Sequence, residues 1–277
     1  MTRLTELTAR LKSEGRKPIV PFLTAGYPDR ETFRGVMEAA AAAGCPLVEI
    51  GFPFSDPVAD GPVIQAASMK ALEQGITLRE TIGLAAEVSR DFDLTVVIMG
   101  YLNPILRMGP DRFAQACGEA GIAGVIVPDL PLEEAAALRA VLRDHDAELV
   151  DLVAPTTGED RMTDHREAAG GFLYLVSTTG VTGSGPGAGD DLESYVARVR
   201  AASPLPLYVG FGIAEPAQAA RVARCADGAV VGSALIRVLD EAGAGPAAVA
   251  AARRFLTDMT AAMADPQAAR TRERNEA

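Results

Sequence analysis

Residues 18–51, PIVPFLTAGYPDRETFRGVMEAAAAAGCPLVEIG, hold the pattern that decides the fold. An apolar run, Pro18–Thr24, leads through a Gly-Tyr-Pro-Asp turn into an amphipathic stretch, Arg30–Ala43, and then into a second apolar run, Pro46–Gly51. Strand, helix and strand in that order make a parallel pair, because parallel neighbours need a crossover connection. The same alternation continues outward along the chain. Further strand-like runs fall at Leu94–Gly100, Ala123–Val127, Glu148–Ala154, Phe172–Ser177, Leu205–Gly210 and Ala229–Val231, which makes eight. Helical patterns fall at Val63–Gln74, Asp111–Ala120, Glu133–Asp144, Leu192–Ala202 and Pro216–Arg224. Eight strand–helix units close most simply into one (β/α)8 TIM barrel of the α/β class. An open doubly wound sheet is the competing arrangement, but no Gly-x-Gly-x-x-Gly follows the first strand.

The length of 277 residues suits one barrel domain with no linker or shift of composition. Residues 1–14 read as an extra amphipathic helix ahead of the barrel, and 266–277 as a frayed polar tail. The formal net charge is -11. That balance argues against nucleic acid or an anionic membrane as partner, since each requires a basic face. No stretch of 18 apolar residues and no signal-peptide core occurs, so a cytoplasmic protein is expected. Cys45, Cys117 and Cys225 are widely spaced in apolar surroundings and read as buried, reduced thiols.

Barrel chemistry sits at the C-terminal strand ends. There the second strand carries a carboxylate, Leu47-Val48-Glu49-Ile50-Gly51. Period-two alternation turns Glu49 away from Val48 and Ile50, hence into the barrel near its mouth. A carboxylate in an apolar interior has its pKa raised toward neutrality, which suits acid/base work. A structural carboxylate bonded to a barrel hydroxyl or amide would look the same in sequence. Asp60 lies in the long loop that follows, just before the Val63–Gln74 helix. Helix cap or turn residue is the plainer reading for it, as for Asp56. If Glu49 and Asp60 share a pocket, their pKa values are pushed apart and define acid and base roles.

Other chemistries lack their residues. His145 and His165 lie in polar helical stretches away from strand ends, so no zinc site built on histidine is expected. The three lysines, Lys12, Lys17 and Lys70, follow no strand at the mouth, which leaves no Schiff-base amine. There is no Gly-x-Ser-x-Gly elbow. The second half instead carries Gly180-Val181-Thr182-Gly183, Gly210-Phe211-Gly212 and Gly232-Ser233-Ala234 after the sixth, seventh and eighth runs. Loops of this kind, with a helix N-terminus, hold phosphate in many barrels.

Three segments together resemble the tryptophan synthase alpha subunit: Pro21–Pro28, Glu49–Pro62 (EIGFPFSDPVADGP) and Ser177–Gly183 (STTGVTG). Met99–Pro104, Val127–Pro131 and Gly210–Ile213 extend the likeness, which covers roughly residues 15–245. The resemblance implies a lyase that performs retro-aldol cleavage of indole-3-glycerol phosphate to indole and glyceraldehyde 3-phosphate. It assigns Glu49 to the glycerol hydroxyl proton and indole C3, and Asp60 to the indole N–H. It sets Tyr174 beside Glu49, with Phe22, Ile64, Met99 and Phe211 around the indole. Phosphate falls to Thr182, Gly183, Gly212, Gly232 and Ser233. No metal or cofactor is implied in this chain. Pyridoxal phosphate belongs to a beta subunit, the expected partner in an alpha2-beta2 heterotetramer. One departure is visible: after Gly183 the loop runs Ser184-Gly185-Pro186-Gly187-Ala188-Gly189, where the family pattern has a charged residue, often Arg.

Three rival readings follow from the same residues. Indole-3-glycerol-phosphate synthase is a neighbouring barrel, but it needs strand-end lysines. A stand-alone lyase releasing free indole would share every catalytic residue. A barrel kept mainly as an allosteric binding subunit would share the fold. Assay with and without a beta subunit separates the last two from the first-named activity.

Overall fold

The computed structural model describes residues 1–176, 188–210 and 212–265. Thr182, Gly183 and Phe211 lie outside them, as do the rest of the sixth loop through residue 187 and the tail. The chain opens with helix α1 (Arg3–Ser13), then β1 (Ile19–Thr24), α2 (Arg30–Ala42) and β2 (Leu47–Gly51). Two helices follow, α3 (Pro62–Glu73) and α4 (Leu78–Phe92), before β3 (Thr95–Met99). Next come α5 (Leu102–Met108), α6 (Pro110–Glu119) and β4 (Ile122–Ile126), then α7 (Ala136–Arg143) and β5 (Glu148–Val153). The second half runs α8 (Glu159–Ala168), β6 (Leu173–Val176), α9 (Ala188–Ala202), β7 (Leu207–Gly210), α10 (Pro216–Cys225) and β8 (Gly228–Val231). It ends with α11 (Ser233–Ala242) and α12 (Pro246–Ala264).

The eight strands pair in parallel and in sequence order, and β8 pairs back onto β1 to close the barrel. Each strand lies within two residues of its expected run at either end. The helices depart more. The expected Glu133–Asp144 helix is broken into a 3₁₀ turn, Leu132–Glu134, and α7. Helices α4, α5, α8 and α12 fall outside the helical stretches bounded from sequence, and α12 packs on α2, α10 and α11 to complete the outer layer.

Register explains which residues reach the interior. Phe22 pairs with Glu49 and Glu49 with Val97, so all three present the same face. Leu152, Tyr174 and Tyr208 likewise follow one another around the far side. The opposite positions, such as Val48 and Ile50, are fully buried and belong to the apolar core.

Helix α1 closes the floor. Leu4 is fully buried over the strand starts, and a Cβ on Gly124 would come within 2.7 Å of it, so the strand has no room for a side chain there. The Thr8 hydroxyl donates to the Gly171 carbonyl at 2.7 Å, and the Gly171 amide donates to the Thr5 hydroxyl at 2.9 Å. The Thr2 hydroxyl donates to Glu148 at 2.9 Å, and Arg143 pairs with the same carboxylate. These bonds satisfy polar groups that burial would otherwise leave without partners.

One expectation needs correction. Cys225 is only half-buried, because it ends α10 rather than sitting under it, whereas Cys45 and Cys117 are buried. His165 does lie in a helix. It is buried in α8 with Nδ1 3.1 Å from Asp151 on β5, a carboxylate that Arg139 also binds at 2.6 Å. His145 lies in the turn after α7.

Candidate active site

Glu49 sits on β2 one pair from the mouth and is 1% exposed. Neither carboxylate oxygen has a hydrogen-bond partner among the described residues. The hydroxyl-bonded structural carboxylate is therefore not what the fold contains. An unpaired buried carboxylate is costly as an anion, so the proton is retained. Burial, with the Asp60 charge adding to it, pushes the Glu49 pKa up to about 8.

Asp60 comes from the β2–α3 loop, which two tight turns fold back over the barrel: Val58 N–H donates to the Asp56 carbonyl and Asp60 N–H to the Pro57 carbonyl. The Gln65 amide of α3 donates to the Asp60 carbonyl at 2.8 Å and anchors the loop's end. The helix cap is Gly61, with Pro62 beginning α3, so Asp60 does not cap its helix. Its carboxyl is raised to about 6, chiefly by desolvation, with the Tyr101 hydroxyl pulling the other way. Asp56 accepts from its neighbour Ser55 at 2.6 Å and is exposed, outside the pocket.

The Tyr174 hydroxyl is held protonated by burial and by the facing charges of Glu49 and Asp60. Three elements, β2, β6 and the second loop, thus bring their groups to one place. A side chain on Gly210 would run into the Tyr174 ring and hydroxyl, so β7 must be bare where β6 is bulky. The Phe22 ring lies against Gly51 and Gly232.

Above this group opens a cavity of about 1190 Å³, with room for a bicyclic ring and a phosphorylated chain. Asp60, Ile64, Met99, Gly212 and Ser233 are in its wall. Phe22, Glu49 and Tyr174 are buried and do not form part of that wall. Ser233 is the first residue of α11, whose cap, Gly232, makes no side-chain bond. The first-turn amides of a helix have no intrahelical acceptor, and the helix dipole is positive there, so this end favours an anion.

Tyr101, which the sequence did not single out, is 3% exposed at the end of β3 and stacks on Phe54 with centroids 5.3 Å apart. Its hydroxyl accepts the Ala59 N–H at 2.9 Å, inside the same loop as Asp60. The only signal available was its place just past a strand end. Among the described residues no cluster of three or more His, Cys, Asp or Glu could hold a metal.

Residues 8–264 match the family described as tryptophan synthase alpha chain. The tryptophan synthase alpha chain of Chloroflexus aggregans is 47% identical over 241 residues, covering 87% of this chain and 90% of that protein. That of Acidiphilium cryptum is 48% identical over 237 residues, covering 85% and 86%. Among solved structures, tryptophan synthase subunit alpha from Legionella pneumophila superposes with a TM-score of 0.87 at 37% identity, over 95% of this chain and 99% of that one. Tryptophan synthase from M. tuberculosis gives 0.84 at 34% identity, over 95% and 98%. With the closed barrel and a mouth carrying one buried and one half-buried carboxylate, this chain belongs to the tryptophan synthase alpha chain family.

Proposed function

We propose that this chain is the lyase that cleaves indole-3-glycerol phosphate to indole and glyceraldehyde 3-phosphate in L-tryptophan biosynthesis, with Glu49 and Asp60 as its acid and base. The observation that carries the reading is a pair of carboxylates with different proton affinities at one barrel mouth: about 8 for Glu49 and about 6 for Asp60. Near pH 7 the first starts as an acid and the second as an anion.

Those starting states suit the chemistry. Glu49 gives its proton to indole C3 while Asp60 takes the N–H proton, which leaves the indolenine tautomer. Glu49, now a carboxylate, takes the proton of the glycerol hydroxyl next to C3. The carbonyl of the aldehyde forms, the C–C bond breaks, and its electron pair passes through the ring to nitrogen, which recovers its proton from Asp60. Both residues end as they began. The indole ring rests among Phe22, Ile64, Met99, Tyr174 and Phe211. Phosphate rests on Thr182, Gly183, Gly212, Gly232, Ser233 and the amides opening α11. The chain needs no cofactor for these steps.

The alpha chain of a synthase implies a beta partner. We place this chain in an alpha2-beta2 heterotetramer in the cytoplasm, with pyridoxal phosphate confined to the beta subunit. The described barrel supports taking the whole chain as one domain. No helix among the described residues is long and apolar enough to cross a membrane.

The test is indole release from indole-3-glycerol phosphate by the full chain and by Glu49→Gln. The near-isosteric change is expected to leave circular dichroism unchanged and turnover below about 1% of wild type, in line with loss of a general acid/base. A variant retaining a tenth or more of the activity would remove Glu49 from the mechanism.

A further inference from the structure

The second loop makes one contact whose consequence reaches the chemistry. Asp60 is carried on a segment with no secondary structure of its own, yet proton transfer requires its carboxylate to be held within a fraction of an ångström. Tyr101 supplies the hold. Its hydroxyl accepts the Ala59 N–H at 2.9 Å and lies beside the Asp60 carboxylate, whose proton affinity it lowers. Its ring stacks on Phe54 at an interplanar angle of 29°, gripping the loop five residues earlier. Tyr101 itself is fixed from the other side. It is the residue preceding α5, whose first amide, Leu102 N–H, donates to Asp129 at 2.9 Å, just beyond β4. Strand ends β3 and β4 thereby hold the loop that β2 sends out.

We propose that Tyr101 is the positioning residue of this site, fixing the loop that carries the Asp60 carboxylate through its bond to Ala59 and its stack on Phe54. This rests on the reading of Asp60 as the base. A hydroxyl beside a carboxylate also stabilises the anion, so Tyr101 favours the ionised form of Asp60. Burial and the neighbouring charges act in the opposite sense. The other titratable groups facing Asp60 are Glu49 on β2 and Tyr174 on β6, and Asp129 faces Tyr101. None of these replaces the lost donor when Tyr101 becomes Phe, since the phenylalanine ring keeps the Phe54 stack but carries no hydroxyl.

Tyr101→Phe in the full chain is read by kcat, KM and the pH dependence of kcat/KM for indole-3-glycerol phosphate cleavage. The expected result is a kcat at least tenfold lower, a smaller change in KM, and an acid limb moved upward by roughly 0.5–1 unit. A merely structural role would lower activity at every pH and leave the limb in place. An unmoved acid limb therefore overturns the proposal, whatever happens to kcat. Asp60→Asn, measured beside it, separates the two readings. If that variant abolishes turnover while Tyr101→Phe leaves the limb unmoved, only the role of Tyr101 falls. If Asp60→Asn keeps wild-type turnover and its acid limb, the reading of Asp60 falls first.

Discussion

Glu49 is a residue whose burial works against the fold that holds it. The unfolded chain ionises this carboxyl near 4.5, whereas the folded chain keeps the proton to about 8. Between those values the folded state binds more protons than the unfolded one, so stability falls as pH rises through the window. At pH 7 the difference is on the order of 3 kcal/mol. Glu49→Gln cannot ionise and escapes that loss. Urea unfolding at pH 5, 6.5 and 8 should show the variant gaining on wild type by about 1 kcal/mol per pH unit. A constant gap across those three pH values would mean that the carboxyl is not titrating against burial. At this scale the inward place of Glu49 was legible. A single carboxylate at an inward strand position can be read from alternation alone. Tyr101 could not be, because nothing in Met-Gly-Tyr-Leu-Asn-Pro shows that its hydroxyl turns back across two strand ends to reach Ala59.

Among the elements, α1 and α11 do opposite jobs at opposite ends. Helix α11 opens toward the mouth with first-turn amides that have no intrahelical acceptor, and α1 seals the floor with apolar side chains and threonine hydroxyls. Leu4 is fully buried against Gly124 and Gly171. Leu4→Ala should cost about 2–5 kcal/mol, because the glycines opposite offer nothing to fill the cavity. Measured at a temperature where both proteins are folded, kcat/KM should be unchanged, since the floor touches no group at the mouth. A variant of normal stability but reduced kcat/KM would contradict this division of labour. Strands were read from sequence almost to the residue because their apolar runs are short and bounded by turns. Helices were read less well. Those following β2 and β3 come in pairs split by Gly or Gly-Pro, and α8 has almost no apolar periodicity, its sequence being EDRMTDHREA.

At the scale of the molecule, a net charge of -11 surrounds a site built to take a phosphorylated anion. The barrel resolves this locally, with a helix N-terminus and glycine amides supplying partial positive charge and Arg161, Arg221 and Arg237 standing in the cavity wall. Burial raises both mouth carboxylates, and the Asp60 charge adds to the shift of Glu49. The central claim is that one is protonated and the other ionised at neutral pH. The pH dependence of kcat/KM for indole-3-glycerol phosphate cleavage tests it most directly. The account predicts a bell with limbs near 6 and 8, belonging to the pair and peaking near pH 7. A profile flat from pH 5 to 9, or one rising through that range without a falling limb, would contradict it.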